Sequence, residues 1–289
     1  MAVLTAKGIS SVAVELLTRS LVLPMTVARI PGGEYSGPNG GTITVRVPQP
    51  STARTQASRG ATITYDDVTE VPVDVTLSHL YHAKLVSDEE LSLDLVNFGT
   101  QVTRVQVQAV AAAAEDTLAT AMNGLTADLT IAADGSDIEA KILEAREMLG
   151  RNNVPADNRY LAVSPEVATF LLALPNLSQV DQSGSPSALR DAVIGRYRGF
   201  TVVESSALTA GTAVAYHSSG FAFANRLPVT PRGANETATA QAGGIGLRQI
   251  FQYVPDKLSD ASVVSTFAGA AVVTDSDGAR KRAIKLSTE

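Results

Sequence analysis

Apolar and polar residues alternate with a period of two through Thr42-Ile-Thr-Val-Arg-Val47, and again over 61–65 and 68–77. That period sends successive side chains to opposite faces of a strand. Between these runs lies Pro48-Gln-Pro-Ser-Thr-Ala-Arg-Thr-Gln-Ala-Ser-Arg-Gly60, polar and rich in turn formers. The pattern predicts a long β-hairpin with an extended tip, preceded by an apolar segment over 1–31 that ends at Pro31-Gly32-Gly33. Two strands alone are marginal in water, so this arm needs a surface to lie on.

The period then changes to that of a helix. Ser87-Asp-Glu-Glu90 has the form of a capping box, in which hydroxyl and carboxylate satisfy each other's free backbone N–H groups. A helix is predicted over about 93–123, closed by Gly124. Its stripe runs Leu95, Phe98, Val102, Val105, Ala109 and Ala112, then drifts to Leu118, Met122 and Leu125. Some 30 residues span about 45 Å at the helical rise. A compact chain of this size would have a radius of gyration near ~19 Å, so an elongated molecule is expected. A second capping box, Ser136-Asp-Ile-Glu139, opens a helix with Ile138, Ile142, Ala145 and Leu149 on one face and Gly150 at its end.

A strand over 160–163 runs into Ser164-Pro165-Glu166, with Ser at the cap and Pro at the first helical position. Further strands are predicted at 200–203, 213–216 and 221–223, and 177–187 reads as a mobile loop. Gly243-Gly-Ile-Gly246 precedes the last strands, 247–254 and 261–273, and the polar tail from Thr274 is expected to fray. The sum is an α+β fold, with one sheet built from distant segments and 136–244 inserted as a second domain.

Charge adds a local asymmetry to this layout. The chain of 289 residues carries 23 Lys+Arg and 29 Asp+Glu, a net charge of −6. From Tyr35 to Tyr65 the only charged residues are Arg46, Arg54 and Arg59. The next stretch, 66–94, holds Asp66, Asp67, Glu70, Asp74, Asp88, Glu89, Glu90 and Asp94 against a single Lys84. One reading is two solvated faces, the usual fate of charge runs. The other is a cationic arm that seeks the acidic flank of a neighbouring copy, a head-to-tail contact that builds rings or lattices. Its contact residues would be Arg46, Arg54 and Arg59 against Asp66, Asp67, Glu70, Asp74, Glu89 and Glu90.

Candidate chemistry is sparse. There is no Cys, which removes disulfide scaffolds, thiolate metal sites and thiol catalysis. An acidic chain repels nucleic-acid phosphate, so a DNA-reading module is not expected. No apolar run is long enough to span a membrane, and the N-terminus lacks the basic start and unbroken apolar core of a secretory signal, so a cytosol-like compartment is expected. His79 and His82 form His-x-x-His without a third ligand pattern, and a hydrogen-bonded pair is the better reading. His217 in Tyr216-His-Ser-Ser219 lies beside serines, but no Gly-x-Ser-x-Gly elbow is present. No Gly-x-Gly-x-x-Gly or phosphate loop occurs, and Asp275-Ser-Asp-Gly278 begins a calcium loop without its remaining ligands. No catalytic, cofactor-binding or metal residue is assigned, and no cofactor is expected.

The order of parts, apolar start, long hairpin, long helix, mixed insert and return to the sheet, resembles the major capsid proteins of tailed bacteriophages, the Hong Kong 97-type fold. Phrases similar to that family are Val154-Pro155 with Arg159-Tyr-Leu-Ala-Val-Ser-Pro165, Leu189-Arg-Asp-Ala-Val-Ile-Gly195 with Gly199-Phe-Thr-Val-Val-Glu-Ser205, and Gly246-Leu-Arg-Gln onward to Tyr253 and 263–273. The resemblance implies an N-terminal arm (1–31), an extended loop (32–74), a peripheral domain (75–135 and 245–278) carrying a spine helix over about 93–123, an axial domain (136–244) and a tail (279–289). It implies a structural subunit that assembles into hexamers and pentamers of an icosahedral shell around double-stranded DNA, located in the virion and built in the host bacterial cytoplasm. Implied partners are other copies, packaged DNA without sequence reading, a scaffolding protein, a portal and a decoration protein, with no membrane. Some members crosslink a loop lysine to a neighbour's asparagine; residues 32–74 hold no Lys, so that step is not carried over. Rival readings are an encapsulin-type bacterial nanocompartment shell and, further off, a cytosolic enzyme or ligand binder with a pocket around His79, His82 or His217.

Overall fold

Two six-stranded sheets and a separate hairpin account for the strands of a computed structural model, which describes residues 22–30, 41–48, 53–65, 67, 69–90, 102–174, 195–233, 236–242, 245–275 and 277–288. The first half of the chain forms β1 (Ala28–Ile30), β2 (Thr42–Pro48), β3 (Glu70–Thr76), β4 (Ser78–Ser87), helix α1 (Arg104–Asn123), β5 (Leu129–Ile131), α2 (Ile138–Arg151), β6 (Arg159–Val163) and α3 (Pro165–Leu172). The second half forms β7 (Gly195–Tyr197), β8 (Phe200–Glu204), β9 (Thr212–His217), β10 (Phe221–Arg226), β11 (Glu236–Ala242), β12 (Ile245–Val254), β13 (Ser259–Val272) and β14 (Ala283–Thr288).

The first sheet has the order β1-β10-β13-β12-β11, and the 14-residue β13 is long enough to pair β12 and then β10 in succession along one edge while β4 pairs along the other. One face lies under α1, where Val107, Val110 and Leu118 pack with Leu247, Val264 and Ala268. A polar layer interrupts this interface. Gln106 of α1 donates to the Ser262 carbonyl (2.7 Å) and accepts from the Ser262 hydroxyl (2.8 Å), so both ends of a fully buried amide are used.

The second sheet has the order β5-β14-β9-β6-β8-β7. Both its faces are covered, as the almost unbroken apolar run of β9 requires. Leu161, Val163, Ala215 and Leu286 face α2 and α3, while Ala162, Val214, Tyr216 and Ala283 join the core under α1. The alternation along β6 and β9 is the period-two signal expressed on two cores at once.

Four sequence expectations change. The segment 61–65 is exposed and pairs with no strand, so the hairpin ladder stops at Pro48–Glu70. The box Ser136–Glu139 does not close: Asp137 caps by position only, its Oδ1 accepts the Ala132 N–H (2.8 Å), Ser136 N–H goes to Asp134 (3.0 Å), and Glu139 turns to Arg198. The long-helix stripe is out of phase in its middle and right at its end. Val102, Leu118, Met122 and Leu125 are buried as expected, but Val105 is 50% exposed and Ala112 is exposed, and the buried face of α1 is Gln106, Val107, Val110, Ala111, Ala114, Leu118, Ala119 and Met122. The beginning of that predicted helix, 93–101, lies outside the described residues. The polar tail does not fray. Its last strand, β14, sits between β5 and β9 with Ala283, Ile284 and Leu286 buried, because the alternation of Ala-Ile-Lys-Leu-Ser-Thr matches a two-faced sheet. Strand membership also differs from the expected domain bounds: β10 and β11 pair in the first sheet, β5 and β14 in the second.

The Ser87–Glu90 box does form, with Ser87 N–H to Glu90 Oε2 at 3.0 Å and Glu90 N–H to Ser87 Oγ at 3.2 Å. Helix α2 buries Ile138, Ile142, Ala145 and Leu149, the face predicted for it. Ser164 and Pro165 occupy the expected cap and first-turn positions of α3, but the Ser164 hydroxyl is buried without a partner instead of capping. The loop expected at 177–187 and the N-terminal segment up to residue 21 lie outside the described residues.

Candidate assembly surface

The root of the hairpin is held by its own sequence. Ile43, Val47, Val73 and Val75 turn to the outer face of the first sheet and meet Ala222, Ala224 and Val273, a small core separate from the other two. The approach is close because the sheet presents small residues there. A Cβ added to Gly269 would stand 2.3 Å from the Thr76 carbonyl oxygen, so the chain leaving β3 rests directly on β13.

Beyond this root the arm is polar and exposed. Arg54, Arg59, Ile63 (56% exposed) and Tyr65 (84% exposed) lie on a tip shaped by a turn at 58–61, where Ala61 N–H bonds the Ser58 carbonyl and Gln56 bonds the Ala61 carbonyl. Arg46 faces Glu70 across the ladder at 3.4 Å, and Thr44 donates to Asp74 at 2.7 Å. Glu70 and Asp74 therefore belong to the arm itself and outweigh the one cation of its shaft, Arg46, and Asp67 falls on the return of the same loop. Asp66 lies outside the described residues.

Glu89 and Glu90 are elsewhere, past the end of β4. The Glu90 carboxyl is held below its ordinary value by backbone and hydroxyl hydrogen bonds from Ser87. Sheet pairing brings further acids to this end: Ser87 is opposite Ser259, Asp88 N–H bonds the Leu258 carbonyl, and Tyr253 donates to Asp88 at 3.1 Å. Asp88, Glu89, Glu90, Asp256 and Asp260 thus surround one end of the first sheet, opposed by Lys84 and Lys257. Sequence reasoning missed Asp256 and Asp260, about 170 positions downstream; only the β4–β13 register joins them. Next to this end the outer sheet face is uncovered, with Tyr81 (68% exposed) and Leu85 on β4 beside Val263 and Ala261. None of the described ion pairs joins the arm tip to Glu89 or Glu90 within one copy.

The histidines are not brought together. His79 and His82 are three apart on a strand and so point to opposite faces. His79 stacks on Phe267 with centroids 4.6 Å apart, and His82 turns under α1 with its Nδ1 buried and unpartnered. His217 Nδ1 accepts the Ser219 N–H at 3.2 Å and lies 2.8 Å from the Ser219 hydroxyl, closing a local turn after β9. No group of three metal-ligating side chains occurs among the described residues, and no described helix is long and apolar enough to cross a membrane. Burial lowers the His217 pKa below the ordinary 6.5. A histidine depressed in the folded state takes up its proton more readily when unfolded, so its contribution to stability is present above pH 6.5 and is lost as the pH falls through its folded value. Replacing His79, His82 and His217 by Ala is expected to flatten this acid dependence in thermal melts between pH 7 and 5. The same variant is expected to assemble, as judged by electron microscopy.

The family model described as phage capsid protein matches residues 96–280, more than half of the chain. The chain belongs to this phage capsid protein family. No curated protein sequence matches it. Solved structures with a similar fold include one from Mycobacterium phage Che8, at 21% identity and TM-score 0.63 over 92% of this chain and 90% of that one. The capsid of cyanophage P-SCSP1u is 13% identical with TM-score 0.64, covering 93% and 88%. A virus-like particle from Pyrococcus furiosus is 12% identical with TM-score 0.57, covering 96% and 97%. The fold is the Hong Kong 97-type α+β fold, and the chain is a structural, self-assembling subunit of a phage capsid, not an enzyme.

Proposed function

We propose that copies of this chain assemble into hexamers and pentamers that close an icosahedral shell around double-stranded DNA in the host bacterial cytoplasm, each arm tip seated against the acidic sheet end of the next copy. The observation that carries the contact is the presence on one chain of an exposed tip bearing Arg54 and Arg59 and of a sheet end that gathers Asp88, Glu89, Glu90, Asp256 and Asp260. Complementary charges on two exposed surfaces can meet between copies, and a heterologous contact of this kind repeats around a ring. Glu70 pairs with Arg46 on the shaft of the arm, so the arm's remaining positive charge sits at the tip. An acidic wall also leaves packaged DNA free to move past it. A scaffolding protein, a portal and a decoration protein are the expected partners of such a shell.

The test is negative-stain electron microscopy of the purified full chain with light scattering on the same sample. Closed shells, or five- and six-membered rings, are expected. Nuclease-protected DNA inside supports the phage reading, whereas protein cargo supports the encapsulin reading. A small species that stays monodisperse on adding salt or crowding agent overturns both.

A further inference from the structure

The segment 22–30 crosses the joint between the two sheets. Leu23 is fully buried and Val27 nearly so, in a core that takes Leu118 from α1, Phe223 from the first sheet and Val214 from the second. Its polar contacts reach the same three parts. Thr26 donates its hydroxyl proton to the Leu23 carbonyl (2.7 Å) and accepts from the hydroxyl of Tyr216, a fully buried β9 residue. Glu115, half-buried on α1, accepts the Val22 N–H at Oε2 (3.1 Å) and the Ser205 hydroxyl at Oε1 (2.5 Å). Ser205 follows β8 and is fixed to the second sheet by its own N–H to the Val163 carbonyl (3.0 Å). Immediately afterwards β1 enters the first sheet, parallel to β10.

One carboxylate therefore holds a chain segment, a helix seated on one sheet and a loop of the other. Hydrogen bonds to an ionised carboxylate in a poorly solvated place are the strong kind. Further polar ties across the joint lie at the far end of α1, where Asn123 bonds the Ala207 carbonyl and the Thr209 N–H and its carbonyl accepts from Lys285, and at the link Ser218–Gly220 between β9 and β10, where the Val273 N–H bonds the Gly220 carbonyl. Ties at the end of α1 and at the β9–β10 link still leave the sheets free to twist about the line between them; Glu115, about two turns of helix back from Asn123, adds an attachment that opposes this twist.

We propose that residues 22–30 are a strap that locks the angle between the two sheets, with Glu115 as its pin. Because the strap is reached from the N-terminal side of the chain, whatever pulls on that side in a shell acts on the angle. The proposal concerns the subunit alone and stands whether or not the arm docks as described above.

The absence of native Cys allows two spin labels to be placed cleanly, at Glu147→Cys on α2 and Lys257→Cys beyond the far end of the first sheet. Labelled full-length chain is diluted into unlabelled chain and the label-to-label distance distribution is measured, with hydrogen exchange read in parallel. The parent is expected to give one narrow distribution. Glu115→Ala, a good helix former on α1, is expected to broaden it and to speed amide exchange at 22–27 at least tenfold, while β6 and β12 exchange at the parent rate. Thr26→Val, which keeps the shape and removes the hydroxyl, is expected to do the same and carries the test should Glu115→Ala fail to fold. A distribution as narrow as the parent's despite fast exchange at 22–27 overturns the lock, and unchanged exchange at 22–27 overturns the pin.

Discussion

The double substitution Arg54→Glu and Arg59→Glu is expected to abolish shell formation while leaving the subunit folded. Both residues lie on the exposed tip, outside the three buried cores, so no apolar contact is lost. The change turns a tip of charge +2 into one of −2, facing an end with five acids against two lysines. A single exposed ion pair is worth only about 0–1 kcal/mol. The contact recurs in every copy, however, and closing a ring multiplies each loss through avidity. Circular dichroism and the melting temperature should match the parent, with particles gone from micrographs. Assembly of the parent should weaken as salt rises, since screening at 1 M acts within about 3 Å. Normal particles from the double variant would take the tip out of the assembly contact and leave family membership as it is.

Gly269→Val should have the largest effect on stability. The added side chain meets backbone, the Thr76 carbonyl oxygen and its carbon, so no rotamer change relieves it. β3 must lift, which uncovers part of the apolar set Ile43, Val47, Val73 and Val75. Overpacking of this kind costs about 1–3 kcal/mol, a fall in melting temperature of roughly 3–10 °C for a chain of this size. Amide exchange over 42–48 and 70–76 should accelerate before that of the second sheet. A melting temperature within about 1 °C of the parent's would mean that the hairpin is not seated on β13.

Local patterns were readable where a segment answers to one surface. The period-two runs of β2, β3, β12 and β13 and the buried face of α2 follow from the residues, as does the Ser87 cap. Reading failed where long-range pairing decides. β4, Ser-His-Leu-Tyr-His-Ala-Lys-Leu-Val-Ser, mixes polar and apolar residues on both faces, because one face is open and the other lies under α1 beside buried Gln106 and Ser262. The Ala-rich run 109–114 hides the phase of α1: alanine is tolerated on either side, and Gln106 looks solvent-facing until Ser262 is placed opposite it. β14 carries Lys285, a poor strand signal, yet its ammonium bonds the Asn123 carbonyl at the end of α1 (2.7 Å). For the assembly surface, the cationic tip was legible as an absence of acids. The acids nearest in sequence divide between two places: Glu70 and Asp74 sit on the arm itself, Glu89 and Glu90 at the sheet end, where Asp256 and Asp260 join them only through strand pairing.

The place of β14 in the second sheet sets a schedule for biosynthesis. β5 emerges from the ribosome about 150 residues before the strand it pairs with, and β9 also waits for β14 on one edge. Pairings so far apart in sequence form slowly, after the loops between them have closed. A growing chain therefore holds an unfinished second sheet, with the β5 and β9 edges unpaired, until residues 283–288 have been made.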